Sequence, residues 1–258
     1  MIIMDSHCHL DDEKFNEDRK KILEKIKQND MYVICSGYSL ETSKKAVEIA
    51  NQNENIFATV GISPNDVFEN KEEMYLQLEE IEKIAKEQKK VIGIGEIGLD
   101  YYWKKNNKDI QKEFFIKQIE IANRLMLPIA IHSREAYKDI IEILKQNPVK
   151  QKGVFHCCEH NMELIREALE INFYISFAGP ITFKNAKHAN DIISMVPNDK
   201  FLIETDSPYL SPEPRRGKRN DPTNVIFVAK KIAETKKVSL EEIAKYSFEN
   251  AKKLYKLG

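Results

Sequence analysis

Residues 128–158 read PIAIHSREAYKDIIEILKQNPVKQKGVFHCC. PIAIHS (128–133) is a short apolar, β-prone run, AYKDIIEILKQ places its apolar residues at helical spacing, and GVFHCC (153–158) is a second short apolar run. The same alternation extends outward in both directions. Upstream lie IIMDSH (2–7), YVICSG (32–37), IFATVG (56–61) and VIGIGE (91–96), and downstream lie FYISFA (173–178) and FLIETD (201–206). Between them run amphipathic stretches such as EDRKKILEKIKQN, LETSKKAVEIANQ, KEEMYLQLEEIEKIAKEQ, IQKEFFIKQIEIANRLM and MELIREALE, and two more helical patterns close the chain. The strand runs are near-continuously apolar, as expected of a parallel sheet covered by helices. That suits an open doubly wound sheet as well as a barrel, so the count of strands decides. Eight strands, nearly all followed by a helix, predict an α/β fold with a single (β/α)8 TIM-like barrel over residues 1–258.

Composition narrows the function classes. The 40 basic and 41 acidic residues nearly cancel, so any affinity for nucleic acid must come from a local basic patch. The four cysteines, Cys8, Cys35, Cys157 and Cys158, show no CxxC spacing, and no signal peptide is expected ahead of Met1–Asp5. A reduced, cytoplasmic protein is the expectation. No apolar run approaches the roughly 20 residues of a membrane span, and nothing in the sequence calls for an obligate protein partner.

Active sites of such barrels form at the carboxyl ends of the strands. His7 and His9 stand two apart at the end of the first strand, where alternate side chains share a face. Glu96 ends the fourth run, His132 the fifth and Asp206 the eighth, and His156 lies near the end of the sixth. Singly, each is an ordinary satisfied polar group or a helix cap. Together they place four histidines and two acids on one rim. Six ligands exceed the needs of one tetrahedral ion and suit two ions with a shared carboxylate. We expect Glu96 to bridge, His7, His9 and Asp206 to hold one ion, and His132 and His156 the other. Mixed nitrogen and oxygen donors favour Zn²⁺, Mn²⁺ or Fe²⁺, with Mg²⁺ an alternative supported by water and substrate phosphate.

The segments MDSHCHLDD (4–12), GEIGLDYYW (95–103), LPIAIHSREA (127–136), YISFAGPITFKNA (174–186) and ETDSPYLSPEPRRGKRNDP (204–222) resemble the TatD-type metal-dependent deoxyribonucleases of the amidohydrolase superfamily. The likeness covers almost the whole chain. It implies a metal-supported barrel and hydrolysis of DNA phosphodiesters, often from the 3′ end. It also implies ligand roles for His7, His9, Glu96, His132, His156 and Asp206. The chain departs from the family in two places. GISPND puts Ser63 and Asn65 where the family commonly has histidines, and Cys158, Glu159 and His160 replace an aromatic, a serine and a glycine. Both changes touch the rim where substrate would lie.

In this reading Glu96 and Asp206 carry catalysis, Asp206 doubling as general base. Glu204, two residues earlier on the same strand, either orients a ligand or is structural. After the eighth strand Arg215, Arg216, Lys218 and Arg219 surround Gly217, a basic loop suited to phosphate. Arg134 is a further phosphate candidate. Tyr101, Tyr102 and Trp103 are expected either to pack under a loop or to stack on a base, and His188 to lie on the surface. Competing readings are an ester hydrolase acting on aminoacyl-tRNA, and a metal-dependent nucleic-acid binder without turnover.

Overall fold

The computed structural model describes residues 1–158 and 161–257. Glu159 and His160 lie outside the described residues, so the expectation attached to them is not addressed. Eight strands are present: β1 (Ile3–Cys8), β2 (Met31–Ser36), β3 (Ile56–Val60), β4 (Val91–Asp100), β5 (Ile129–Arg134), β6 (Gly153–Phe155), β7 (Tyr174–Phe177) and β8 (Phe201–Ile203). They pair in sequence order, each parallel to the next. Beyond β8 the chain meets β1 again, with the Asp206 amide donating to the His7 carbonyl (3.0 Å) and the His9 amide to the Ser207 carbonyl (2.8 Å). The fold is a single (β/α)8 barrel.

Helices α1 (Arg19–Gln28), α2 (Leu40–Asn51), α3 (Lys71–Glu87), α4 (Lys108–Leu125), α5 (Tyr137–Gln146), α6 (Met162–Glu170), α7 (Ala189–Met195) and α8 (Val225–Lys236) follow the strands in turn, and α9 (Leu240–Tyr255) ends the described chain. Two apolar layers result from the period-two alternation of the strands. Met4, Ile34, Ile92, Ala130, Val154, Tyr174 and Leu202 fill the barrel together with Leu254 and Tyr255 of α9. The opposite strand faces, with residues such as Cys8, Val33, Ile94, Ile131 and Phe155, pack against the ring of helices.

Strand ends differ from the sequence expectation in ways that bear on the site. β4 continues past Glu96 to Asp100, because IGLD keeps a strand-compatible pattern beyond the charged residue. Its pairing with β5 slips between Ile94 and Ile97, so Glu96 lies at a bulge within the strand rather than at its end. A similar slip in β1 falls between Asp5 and Cys8, beside His7. β6 stops at Phe155 and β8 at Ile203, which leaves His156 and Asp206 on the loops immediately beyond. No described helix is long and apolar enough to cross a membrane.

Candidate metal centre

Bulges re-aim side chains, and the two slips in β1 and β4 bracket the residues that converge. Gly98 makes the β4 geometry possible. Its φ is +143°, and a Cβ there would sit 2.0 Å from the carbonyl oxygen of His132. Only glycine lets the strands approach closely enough to bring His132 against Glu96.

The six expected residues are brought together. Donor atoms of His7, His9 and Glu96 lie within 4.8 Å of one another, as do those of Glu96, His132 and His156, and those of His7, His156 and Asp206. Glu96 divides its carboxylate between the first two groups. Its Oε2 faces His7 Nε2 at 3.3 Å and His9 Nε2 at 3.7 Å, while its Oε1 faces His132 Nδ1 at 2.9 Å and His156 Nε2 at 3.4 Å. Asp206 Oδ1 accepts from His9 Nε2 at 3.2 Å and lies 3.9 Å from His7 Nε2. The His7 and His156 rings stack at 3.9 Å between centroids.

Each imidazole is oriented from behind. His9 Nδ1 donates to the Ser36 carbonyl at 2.8 Å, and Ser36 Oγ lies 3.1 Å from His7 Nδ1 while accepting from Thr59 Oγ1. His132 Nε2 donates to Asp100 Oδ2 at 3.0 Å, an oxygen that also accepts from Asn65 Nδ2 at 3.2 Å. Glu204 Oε1 lies 3.4 Å from His156 Nδ1 and accepts from the Cys157 amide at 2.6 Å. Such partners fix which ring nitrogen faces inward. Glu204 thus stands behind His156. Ser36 and Asp100 went unnoticed in the sequence, since their roles depend on which atoms the barrel register sets side by side.

The electrostatics match this crowding. Burial opposes ionisation of Glu96, yet the charge of His156 and hydrogen bonds from His132 and His156 hold its carboxyl well below the usual range. Asp206 is part-buried, which opposes its ionisation, yet it is held below its ordinary value chiefly by His9. Burial pulls His9 down, but the Asp206 hydrogen bond and charge outweigh it and raise the imidazole to about 9. His7 is lowered by burial and by the neighbouring His156. His7 Nε2 is buried and makes no hydrogen bond. A buried imidazole nitrogen aimed into a ring of carboxylates and imidazoles without a hydrogen-bond partner fits a cation, and the mixed nitrogen and oxygen donor set fits a divalent one.

The basic segment is less uniform than its sequence. Arg215, Arg216, Gly217 and Lys218 are exposed. The Arg216 guanidinium lies 4.0 Å over the Phe183 ring. Gly217 adopts φ +81°, with open space where a Cβ would be. Arg219 is occupied, its fork gripping both Asp18 oxygens at 2.9 and 2.6 Å and its guanidinium carbon lying 4.7 Å from the centroid of the Phe15 ring. Arg134 stacks on Tyr102, 4.1 Å from the ring centroid. Tyr101 is buried, whereas Tyr102 and Trp103 are exposed. His188 is exposed just before α7, as expected.

A parallel barrel that gathers imidazoles and carboxylates from separate strands into one buried cluster at its carboxyl face defines the class of the metal-dependent barrel hydrolases. Known proteins agree. The chain is 41% identical over 259 residues to YabD of Bacillus subtilis (strain 168), an uncharacterized metal-dependent hydrolase, with both chains fully covered. It is 35% identical over 263 residues to YcfH of Escherichia coli (strain K12), another uncharacterized metal-dependent hydrolase, covering 99% of this chain and 96% of that one. The crystal structure of YJJV, a TatD homolog from Escherichia coli k12, superposes with a TM-score of 0.92 at 24% identity over 99% of this chain and 98% of that one, which bears on the fold. The family model for TatD related DNases matches residues 4–256, and the chain belongs to that family of metal-dependent hydrolases.

Proposed function

We propose that the protein hydrolyses phosphodiester bonds in DNA as a 3′-5′ exodeoxyribonuclease. In this reading His7, His9, Glu96, His132, His156 and Asp206 would hold two divalent cations (Zn²⁺, Mn²⁺ or Mg²⁺), with Glu96 as the residue that would serve both. The observation that carries it is the division of Glu96, one oxygen toward His7 and His9 and the other toward His132 and His156. A pair of such ions, when bound, lowers the pKa of water, draws charge from phosphate oxygens and stabilises the leaving oxygen.

The chain's own residues supply the rest. Asp206 is kept ionised and takes the proton of the attacking water, as a base must be charged and within hydrogen-bond reach. Ser36, Asp100 and Glu204 hold the histidines so that donor nitrogens face inward. Arg215, Arg216 and Lys218, exposed on the loop after Asp206, offer donors to strand phosphates, and the open side of Gly217 leaves backbone accessible there. Arg134 offers a further cation on the β5 side. Arg219, committed to Asp18, shapes the loop rather than meeting phosphate directly.

The test is a metal-reconstituted sample given single-stranded DNA with a free or a blocked 3′ end, with D-aminoacyl-tRNA in parallel. A ladder that shortens only from the free 3′ end, and vanishes on chelation, is the expected result. Turnover of the aminoacyl ester with DNA left intact would move the reading to the tRNA substrate.

A further inference from the structure

Two exposed aromatic rings beside Arg134 are not used by the chemistry above. Trp103, the only tryptophan in the chain, is 63% exposed, and Tyr102 beside it is 42% exposed. Their rings meet edge to face at 4.7 Å. Arg134 covers one side, its guanidinium 4.1 Å from the Tyr102 ring centroid and 5.3 Å from that of Trp103. At that exposure most of the indole surface on the side away from Arg134 and Tyr102 is open to solvent.

The cluster is tied to the metal centre by a single buried carboxylate. Asp100 Oδ1 accepts from the backbone amides of both Tyr102 and Trp103 at 2.9 Å, and Asp100 Oδ2 accepts from His132 Nε2 at 3.0 Å. Strand pairing sets Asp100 beside Arg134, and the Tyr101 amide donates to the Arg134 carbonyl at 2.9 Å. The turn that carries the two rings therefore cannot shift without moving a carboxylate that orients His132. Tyr101, by contrast, turns inward and donates to Asp139.

We propose that Tyr102, Trp103 and Arg134 form a stacking ledge for an unpaired nucleobase of the strand being cut, next to the phosphate at the metal centre. This rests on the nucleic-acid reading above. A flat indole with one open face and an adjacent guanidinium matches a base plane with a neighbouring phosphate. In a duplex both faces of an internal base are already stacked, so the ledge selects single-stranded or frayed ends. Any base presents such a face, so it gives little sequence preference.

Two readouts test this on the full-length, metal-reconstituted chain. The first is turnover of a short oligothymidylate and of an abasic strand of equal length. Trp103→Ala is expected to raise KM for the oligothymidylate about tenfold, to leave kcat within about twofold, and to leave turnover of the abasic strand unchanged. Trp103→Phe is expected to restore most of the loss, which a merely structural role would not predict. The second is emission from the lone tryptophan, which oligothymidylate should quench saturably and the abasic strand should not. An unchanged KM in Trp103→Ala, or emission indifferent to saturating oligothymidylate, overturns the ledge even where DNA is hydrolysed. If the unaltered protein cuts neither strand, the hydrolytic reading is what fails, and quenching by the uncut oligothymidylate still decides the ledge.

Discussion

His9 donates from both ring nitrogens, to the Ser36 carbonyl and to Asp206 Oδ1, and only the imidazolium can do so. A cation bound at Nε2 must displace that proton, while Nδ1–H stays on Ser36. Without metal the imidazole is raised to about 9, since the pull of Asp206 exceeds the opposing effect of burial, so it is protonated at pH 7.5. Metal binding at that pH should therefore release about one proton from His9. Calorimetric titration in buffers of different ionisation enthalpy would read this, and an enthalpy independent of buffer would contradict it. Glu96→Gln and Asp206→Asn are each expected to give a folded protein with hydrolysis reduced by at least about a hundredfold, measured with saturating metal. Wild-type rates in either variant would remove the assigned roles. The six rim residues could be picked from sequence because histidine and acid are conspicuous at the ends of apolar runs. Asp100 could not, since GLD reads as a strand running into a loop until β4–β5 pairing places it behind His132.

The segment between β8 and α8 shows what a motif hides when read as one piece. PEPRRGKRN reads as a basic loop, yet its residues divide by role once folded. Asn220 is fully buried, and its amide donates to the carbonyls of Thr205 and Tyr209 at 3.0 and 2.7 Å, clasping the turn that presents Asp206. Arg219 ties the loop to Asp18, just ahead of α1. Arg216 remains exposed, with its cation over Phe183. Arg216→Ala should thus weaken DNA binding across sequences and reduce the slope of log affinity against log salt by about one. An unchanged slope would return this arginine to the solvated surface. Arg219→Ala should cost under about 1 kcal/mol, because exposed ion pairs contribute little. The strands were legible as elements and less so at their ends. Bulges at Glu96 and beside His7 arise from register between strands, which a single run of letters does not carry.

At the scale of the whole barrel, the two mouths have different tasks. The carboxyl face holds the polar cluster, whereas the opposite mouth is closed by α9, whose Leu254 and Tyr255 join the interior layer of Met4, Ile34, Ile92 and Leu202. The sequence announced a final helix but not that it would plug the barrel, since an amphipathic pattern does not say which surface it covers. Leu254 is 4% exposed, so Leu254→Ala removes packed methyl groups from a closed layer and should cost about 2–5 kcal/mol. The Tyr255 hydroxyl is buried without a hydrogen-bond partner, and a Cβ on Gly93 would come within 3.2 Å of its ring. Removing that hydroxyl relieves an unsatisfied polar group and leaves the ring's packing in place. Tyr255→Phe should therefore match or exceed the parent in thermal midpoint, while Leu254→Ala melts clearly lower. Because residues at the amino face of such barrels serve stability rather than chemistry, both variants should keep parental turnover per folded molecule well below their melting points. A loss of turnover in Leu254→Ala that tracks neither unfolding nor metal content would mean that the plug reaches through the barrel to the metal centre, and the separation of the two faces would have to be abandoned.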